Sequence, residues 1–575
     1  MGPDRRLRSL LSQCGLERLC DELGETRLSE LCDALDGSRL TLLTRLKEVG
    51  VSSLPDRQKL ANALARARRE GTLSVDGEAP GEPAPAKPPQ PVTSNDETPA
   101  SSRRRLLKPL PPHRRLGTNA IGSNGSASAV SGEWFGLRLP RTFEELLSES
   151  SGFGAPWLTR ALRSSLVLGE SSCVARITLV EELPLQGDDA QGGAGIKAVL
   201  QVEYQPSSVG LHTTLFCKLP WPVAGHSHAN PKWRAILSSH YGDGDARELS
   251  VYVLAEDLMP VRIPKLYFAD ISRATSDYVL ITECIPFGKA DPSYPGLTLL
   301  PKCGKYQDDR LCDAHEYYYA LFRAMARVAA ADKCGRFSAV STCFGGVDPG
   351  SLPPDTPARR DLSRRWAQAQ CASLREFSTR VAPHLFPRHL CSDSFLDEFE
   401  RNIMDCATYF DAAKRYVSRD SAYCALIHPN LQVDNAFFWR SANGDLEAGL
   451  LDWYNCQRAP FAGIMMGCLS GAEPDVLAKH ISPLIRCFID EYAREGGPML
   501  DAEELLLQFN LMFVHTLVGS LTFIQTDIYL EGPPREEWQN VRSKDDPCVM
   551  GRWNVRCRTI ACLLYTSPSP RDGLL

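Results

Sequence analysis

The chain has 575 residues, enough for two or three domains, and 43% of them are hydrophobic, as in ordinary globular proteins. Its net charge of −6 gives no overall attraction to nucleic acid or anionic membranes, so neither is an expected partner. The 20 cysteines include no C-x-x-C pair and no zinc-finger spacing. That pattern predicts reduced thiols in a cytoplasmic protein. The uncharged stretch 505–526 carries too many polar side chains for a lipid-facing helix, so no transmembrane segment is expected.

Residues 7–71 are predicted to form a small helical domain. Leucines recur there at helical spacing, at Leu7, Leu10, Leu11, Leu16, Leu19, Leu23, Leu28, Leu31 and Leu35. A further helix is predicted over 40–49 and ends at Gly50. The pattern over 43–60 resembles the second half of a sterile alpha motif (SAM) domain, which implies self-association or binding to another protein. The alternative is a generic helical cap on the following domain.

Residues 72–132 are predicted to be a disordered linker. Proline, glycine, serine and alanine dominate 77–102, and no periodic apolar pattern is present from which a core could be built. The segment 103–115 is basic and proline-rich. Three interpretations stay open for it: a nuclear address or anionic docking patch, a polyproline II ligand, and plain solvated linker.

Beyond the linker the chain changes from β-rich to helical. Strands are predicted at 173–180, 196–204, 211–219, 263–270 and 278–285. Helices are predicted at 315–333, 359–381, 394–417, 474–494 and 502–528. Two loops, 221–245 and 287–312, are long for a compact domain, and we expect them to shape a binding site.

One lysine stands out in the β-rich half. Lys218 lies near the end of the apolar strand 211–219, where a charge is costly unless it is paired. Glu248, on a strongly helical stretch further along, is the available partner. The alternative is a lysine that reaches solvent from a strand edge, with the glutamate on a solvated helix face.

The most informative stretch is a polar hairpin between the helices. It begins Leu426-Ile427-His428-Pro429-Asn430-Leu431-Gln432-Val433-Asp434-Asn435 and continues to Gly449-Leu450-Leu451-Asp452-Trp453. The order of these residues resembles the catalytic and metal loops of the protein-kinase-like fold. The most similar branch comprises aminoglycoside phosphotransferases, choline kinases and ecdysteroid-kinase-like proteins. Their pattern is His-Gly-Asp, four residues, Asn, and then Asp-Trp.

This resemblance implies an α+β, two-lobed kinase-like domain over 133–562, with ATP and Mg²⁺ as its cofactors. The positions then carry roles. Lys218 contacts the nucleotide phosphates and Glu248 holds it. The metal ligands are Asn435 and Asp452, the backbone hinge at the adenine is Glu283, Cys284 and Ile285, and the catalytic-loop positions are His428 and Asn430. The last residues, 563–575, resemble translated adaptor sequence, and we expect them to be a non-native tail.

The chain departs from the family at the residue that should be the catalytic base. Pro429-Asn430 stands where Gly-Asp is usual, and an asparagine cannot take a proton at neutral pH. Asp434 lies four positions late, and we expect it to point away and support the turn, while His428 holds the loop by hydrogen bonds. Two hypotheses follow: a small-molecule kinase whose acceptor is unidentified, or an inactive pseudokinase that binds nucleotide or acts as a scaffold through its helical domain.

Overall fold

The computed structural model divides the chain into two compact units, Met1–Asn95 and Asp96–Leu575. In the first unit the structure describes residues 7–8, 11, 16–23, 30–31, 39–51, 57, 60 and 64. In the second it describes residues 98–110, 130–183, 195–206, 210–222, 244–305, 307–346, 350, 352–386, 388–521 and 535–540. Most of the predicted linker 72–132, most of the loop 221–245 and the tail 563–575 lie outside the described residues.

The first unit has its own apolar core. A 3-10 turn, Glu17–Leu19, leads into the short helix α1 (Cys20–Leu23), and α2 spans Arg39–Glu48. The buried side chains are Leu7, Leu11, Leu16, Leu19, Leu23, Leu31, Leu42, Leu46, Val51, Leu60 and Leu64. Gly50 has a φ of +108°, which glycine adopts without strain, and it lets Val51 N donate back to Leu46 O. The described leucines therefore cluster, while the resemblance to a SAM domain stays a prediction.

The second unit begins with helices and a sheet and ends with helices. Its helices are α3 (Pro99–Leu106), α4 (Phe143–Leu147), α5 (Gly154–Ser164), α6 (Gly244–Ala255), α7 (Ala314–Lys333), α8 (Pro357–Glu376), α9 (Asp393–Ala407), α10 (Phe410–Ser418), α11 (Phe461–Cys468), α12 (Pro474–Arg494) and α13 (Ala502–Leu521). Its strands are β1 (Cys173–Glu182), β2 (Gly195–Gln205), β3 (Thr214–Pro220), β4 (Leu266–Ser272), β5 (Asp277–Glu283), β6 (Cys424–Ile427), β7 (Ala436–Arg440), β8 (Leu446–Leu450) and β9 (Gln457–Pro460). None of these helices is long and apolar enough to cross a membrane.

A five-stranded antiparallel sheet in the order β1-β2-β3-β5-β4 forms the first half of this unit. Helices α4 and α5 share one buried core with the sheet, and α6 shares another with β4, β5 and the helical half. Because side chains alternate along a strand, Leu215, Cys217 and Leu219 of β3 enter the first core. Lys218 consequently points to the opposite face, toward α6.

The helical half carries two short antiparallel ladders, β6-β9 and β7-β8. The hairpin β7-β8 turns at Gly444, whose φ is +81°. The prediction of an α+β architecture with a β-rich and a helical half is confirmed. Two predicted helices are shorter than expected. The helix over 359–381 gives way to a π-helical turn at Phe377–Val381, and that over 394–417 is broken between α9 and α10.

The segment 98–110 is folded, so the prediction of a linker without a core is wrong for these residues. Thr98 caps α3 by accepting from Ser101 N, and the Arg103 side chain is 1% exposed. Arg103 donates to Ser165 O at 2.9 Å and pairs with Glu256. Arg104 pairs with Asp257. The two arginines are engaged inside the domain, which contradicts a docking patch or nuclear address that includes them, and 111–115 lie outside the described residues.

Candidate functional site

A cavity of about 780 Å³ lies between the sheet and the helical half. Its size is in the range of small-molecule sites. Strands β2, β3 and β5 and the turns around the hairpin β7-β8 contribute its walls. The functional positions predicted from the sequence that line it are Lys218, Glu248, Glu283, Cys284, Ile285, Asn435 and Asp452. His428 and Asn430 are not among the lining residues.

Lys218 connects three distant parts of the chain. Its Nζ donates to Glu248 Oε2 at 2.7 Å and to Asp452 Oδ1 at 2.8 Å. The side chains of Lys218 and Glu248 are each 2% exposed and that of Asp452 is 18% exposed. A buried ammonium is tolerated only with such partners, and this one links the sheet, α6 and the end of the hairpin.

Lys218, Glu248 and Asp452 shift one another's pKa values. Burial opposes the charge of Lys218, but the two carboxylates outweigh it and hold its pKa well above the ordinary value. Burial likewise opposes the charge of Asp452, and Lys218 with Lys197 outweighs it, so the pKa of Asp452 lies below its ordinary range. Burial raises the pKa of Glu248 to about 7 in spite of Lys218. Asp452 is therefore the carboxylate held most firmly in its charged form.

A strand lysine held by a helix glutamate, opposite an aspartate that follows the polar hairpin, is the arrangement implied by the resemblance. The second unit thus combines an antiparallel sheet with a helical half, as the resemblance also implies. No protein-family model matches the chain, and no curated protein matches it.

Among solved structures, spectinomycin phosphotransferase in complex with ADP and spectinomycin is 13% identical, with 68% of this chain and 94% of that chain covered and a TM-score of 0.35. A microcompartment-associated aminopropanol kinase is 12% identical, with 69% and 94% covered and a TM-score of 0.34. Ethanolamine kinase from Plasmodium vivax is 10% identical, with 61% and 78% covered and a TM-score of 0.31. These likenesses are distant.

The loop after β6 is held from inside. His428 is fully buried and donates from Nε2 to Leu451 O at 2.7 Å, while its ring lies 5.0 Å from that of Trp453. Burial lowers the pKa of this imidazole, which favours the neutral form. The structure thus places His428 against the segment that follows β8, where it holds the residue before Asp452.

Asn430 and Asn435 are joined by a hydrogen bond across the loop. Asn435 donates from Nδ2 to the backbone O of Asn430 at 2.7 Å, which leaves the amide oxygen of Asn435 for another partner. Asn430 itself is exposed. The residue at the usual catalytic position therefore contributes its backbone to the loop, and its side chain lies outside the cavity lining.

Asn435 and Asp452 fit a magnesium ion by their chemistry. Both offer oxygen, and Mg²⁺ in phosphate-binding sites takes one or two protein oxygens and completes its shell with phosphates and water. Asp452 has a φ of +52°, a conformation that is costly for a non-glycine residue and is concentrated at functional sites. Among the described residues no group of three or more histidine, cysteine or acidic side chains could hold a metal without further ligands.

The predicted hinge residues line the cavity at the end of β5. The side chain of Glu283 is engaged within the protein. Its carboxylate accepts from Arg262 Nη2 at 2.9 Å and from Lys265 N at 3.0 Å. Its backbone N–H donates to Lys265 O at 2.9 Å. Cys284 and Ile285 follow directly and also border the cavity.

Two functional candidates were missed or misjudged from the sequence. Lys197 on β2 stands directly opposite Lys218 across the ladder, lines the cavity, and has its pKa lowered to about 8 by burial. A lysine inside the apolar strand 196–204 is the same signal that identified Lys218, and it was not used. Asp434 also lines the cavity, so the expectation that it points away is wrong.

Helix α11 supports the loop by close contact. A Cβ placed on Gly467 would lie 2.5 Å from Pro429 O, so this glycine lets the helix approach the backbone of the loop directly. The loop after β6 is therefore braced by the backbone contact at Gly467.

Proposed function

We propose that the second unit binds ATP with Mg²⁺ and transfers the γ-phosphoryl group to a hydroxyl or amino group of a small molecule. The observation that carries the proposal is the Lys218 ammonium, bridged between Glu248 and Asp452 in the wall of the cavity. Phosphoryl transfer depends mainly on positioning and charge stabilisation, and this arrangement supplies a fixed cation beside a fixed anion.

The charges of the cavity suit a polyphosphate. Lysines line it at Lys197, Lys218, Lys289 and Lys302. Lys197 and Lys218 are adjacent and buried, with Asp452 close enough to raise the pKa of both. The cluster of lysines would attract the oxygens of a triphosphate. Bound Mg²⁺, held by Asn435 and Asp452, would neutralise phosphate charge.

The apolar part of the cavity suits a purine base. Val199, Leu211, Phe216, Leu280 and Ile285 are among its lining residues. The backbone at 283–285 borders the same region. Glu283 N and Cys284 N already donate to Lys265 O and Thr214 O, so a base edge would pair with the remaining peptide groups of this segment. The acceptor would then approach from the side of the hairpin and the loop 287–312.

A thermal-shift experiment tests the proposal with ATP, with Mg²⁺, and with both together. We expect the pair to raise the melting temperature of the wild type, since a ligand at 100 times its Kd stabilises by about 2.7 kcal/mol. Asp452→Asn, measured against its own unliganded melting temperature, should lose this rise. Asp445→Asn, the same chemical change on an exposed residue of the hairpin turn, should keep it. No metal-dependent rise in the wild type, or an unchanged rise in Asp452→Asn, would refute the proposal.

A second candidate function is a nucleotide-binding pseudokinase. It is favoured by the exposed amide of Asn430 at the usual place of the base. The first unit would then supply contacts to other proteins or to a second copy, and the setting would be cytoplasmic. A metal-dependent thermal shift without any release of phosphate from ATP would favour this candidate over the enzyme.

A further inference from the structure

The segment between β8 and β9 carries the proposed metal ligand Asp452 in a strained backbone conformation. Asp452 has a φ of +52° and Asn455 a φ of +59°, both in the left-handed region. A residue with a side chain stays in this region only where the surrounding structure enforces it, although asparagine and aspartate tolerate it best. The contacts that hold this segment therefore decide whether the carboxylate of Asp452 remains in the wall of the cavity.

Helix α6 holds the far end of this segment. Arg247 donates from Nη1 to Asn455 Oδ1 at 2.9 Å and to Gln457 Oε1 at 3.2 Å. The backbone of the helix adds two contacts: Gly244 O accepts from Asn455 N at 3.3 Å, and Arg247 O accepts from Cys456 Sγ at 3.7 Å. Arg247 thus contacts three consecutive residues of the segment.

The start of α6 is also packed against an aromatic ring of the segment. A Cβ placed on Gly244 would lie 2.9 Å from Cζ of Tyr454, so glycine lets the ring lie this close to the helix. Trp453, the residue before it, is fully buried against the ring of His428. The segment is therefore held between the loop after β6 and helix α6.

Arg247 and Glu248 are neighbours on α6, and they act on opposite ends of the segment. Glu248 holds Lys218, which donates to Asp452 at the near end. This ion pair restrains the carboxylate, whereas the backbone conformation of Asp452 depends on how the rest of the segment is fixed. Arg247 supplies that restraint at the far end. A guanidinium suits the position, because it is always charged and its planar fork presents several donors at once.

We propose that Arg247 is a positioning residue of the phosphotransferase, which fixes the segment after β8 so that Asp452 can bind Mg²⁺. The inference rests on the proposed function. Removing the side chain of Arg247 should allow the segment to leave its left-handed conformation, and the Asp452 carboxylate should then leave its place in the cavity wall. Lys218 would keep Glu248 as its partner, so the binding of nucleotide without metal should not change.

The experiment measures the Kd of ATP for the full chain by isothermal titration calorimetry, once with Mg²⁺ and once with EDTA. Comparing the two Kd values isolates the contribution of the metal ion. We expect Arg247→Met to weaken the binding of ATP with Mg²⁺ by roughly 10–100-fold, the effect of losing a residue that orients a metal ligand, while the Kd in EDTA stays unchanged. Arg247→Lys, which keeps the charge and a donor, should lose less.

Two further variants separate positioning from a general loss of stability. Asn455→Ala removes an acceptor of Arg247 and disfavours the left-handed backbone, so it should also weaken the binding of ATP with Mg²⁺. Adding Arg247→Met to it should weaken binding no further, because both changes remove the same interaction. Arg359→Met is the matched control, since it removes another half-buried arginine with two hydrogen bonds, both to Asp411. It should lower the free energy of unfolding in urea and leave both Kd values unchanged.

Three results would overturn the inference. Equal losses of affinity with Mg²⁺ and with EDTA in Arg247→Met would show that Arg247 acts on the nucleotide and not on the metal ligand. Wild-type Kd values in both conditions, with a lower stability in urea, would leave Arg247 a purely structural residue. A loss of metal-dependent binding in Arg359→Met as well would assign the effect to stability. A wild type that does not bind ATP with Mg²⁺ would instead refute the proposed function itself.

Discussion

Replacing Arg103 by methionine should destabilise the second unit by about 3 kcal/mol, the low end of the 3–5 kcal/mol seen when one partner of a buried ion pair is removed. The guanidinium is 1% exposed, and it is hydrogen-bonded to two backbone carbonyls, Ser165 O and Val253 O, as well as to Glu256. The variant keeps most of the aliphatic stem but leaves these acceptors without the cation. The low end applies because Glu256 is 18% exposed and keeps its hydrogen bond from Leu266 N.

Urea unfolding followed by tryptophan fluorescence measures this loss. All nine tryptophans lie at position 134 or later, so the signal reports the unit Asp96–Leu575 alone. Arg105→Met, on the exposed side of α3, is the matched control and should change the free energy of unfolding by no more than about 0.5 kcal/mol. A loss below about 1 kcal/mol for Arg103→Met, or equal losses in the two variants, would contradict the buried position of Arg103.

Two further predictions concern the helical half. Gly467→Ala should lower the free energy of unfolding by about 1–3 kcal/mol, because the added methyl group forces helix and loop apart, and it should weaken the thermal shift by ATP with Mg²⁺. Gly463→Ala, on the same helix, is the control. Its methyl group meets only Ile427 Cδ1 at 3.6 Å, so this variant should be neutral or stabilise by up to about 1 kcal/mol. Equal effects of the two alanines in urea unfolding would contradict the contact with the loop. Burial, assisted by Lys414, lowers the pKa of His515 from 6.5 to about 4, so its contribution to stability is present above pH 6.5 and is lost as the pH falls toward 4. Between pH 7.5 and 5.5 the wild type should lose about 1.4 kcal/mol more than His515→Phe; parallel urea midpoints for the two proteins over this range would show that the imidazole is not desolvated.

The sequence was sufficient where the signal is local or chemically conspicuous. A lysine in an apolar strand needs an anion beside it, because burying an unpaired charge costs free energy. Glu248 was the acid available on a helix, so the ion pair in the structure was predictable from this cost. The hairpin was predictable because an apolar run, 436–439, precedes the turn residues Asn443-Gly444 and a strand follows them. The ends of the helices were less predictable from the sequence. The break between α9 and α10 lies where no proline or glycine interrupts the pattern.

The features that could not be predicted depend on ion-pair partners that lie far away in the chain. Helix α3 has no apolar stripe, and it is held by Glu256 and Asp257, more than 150 positions later. Asp434 was expected to point away because a tight turn alone gives no reason to hold it in the cavity, and Lys305, from a loop without regular structure, provides that reason. In both places the sequence showed a charged residue and the structure supplied its counterion. For Asp434 the counterion binds only one carboxylate oxygen, and the other oxygen is buried without a hydrogen-bond partner among the described residues.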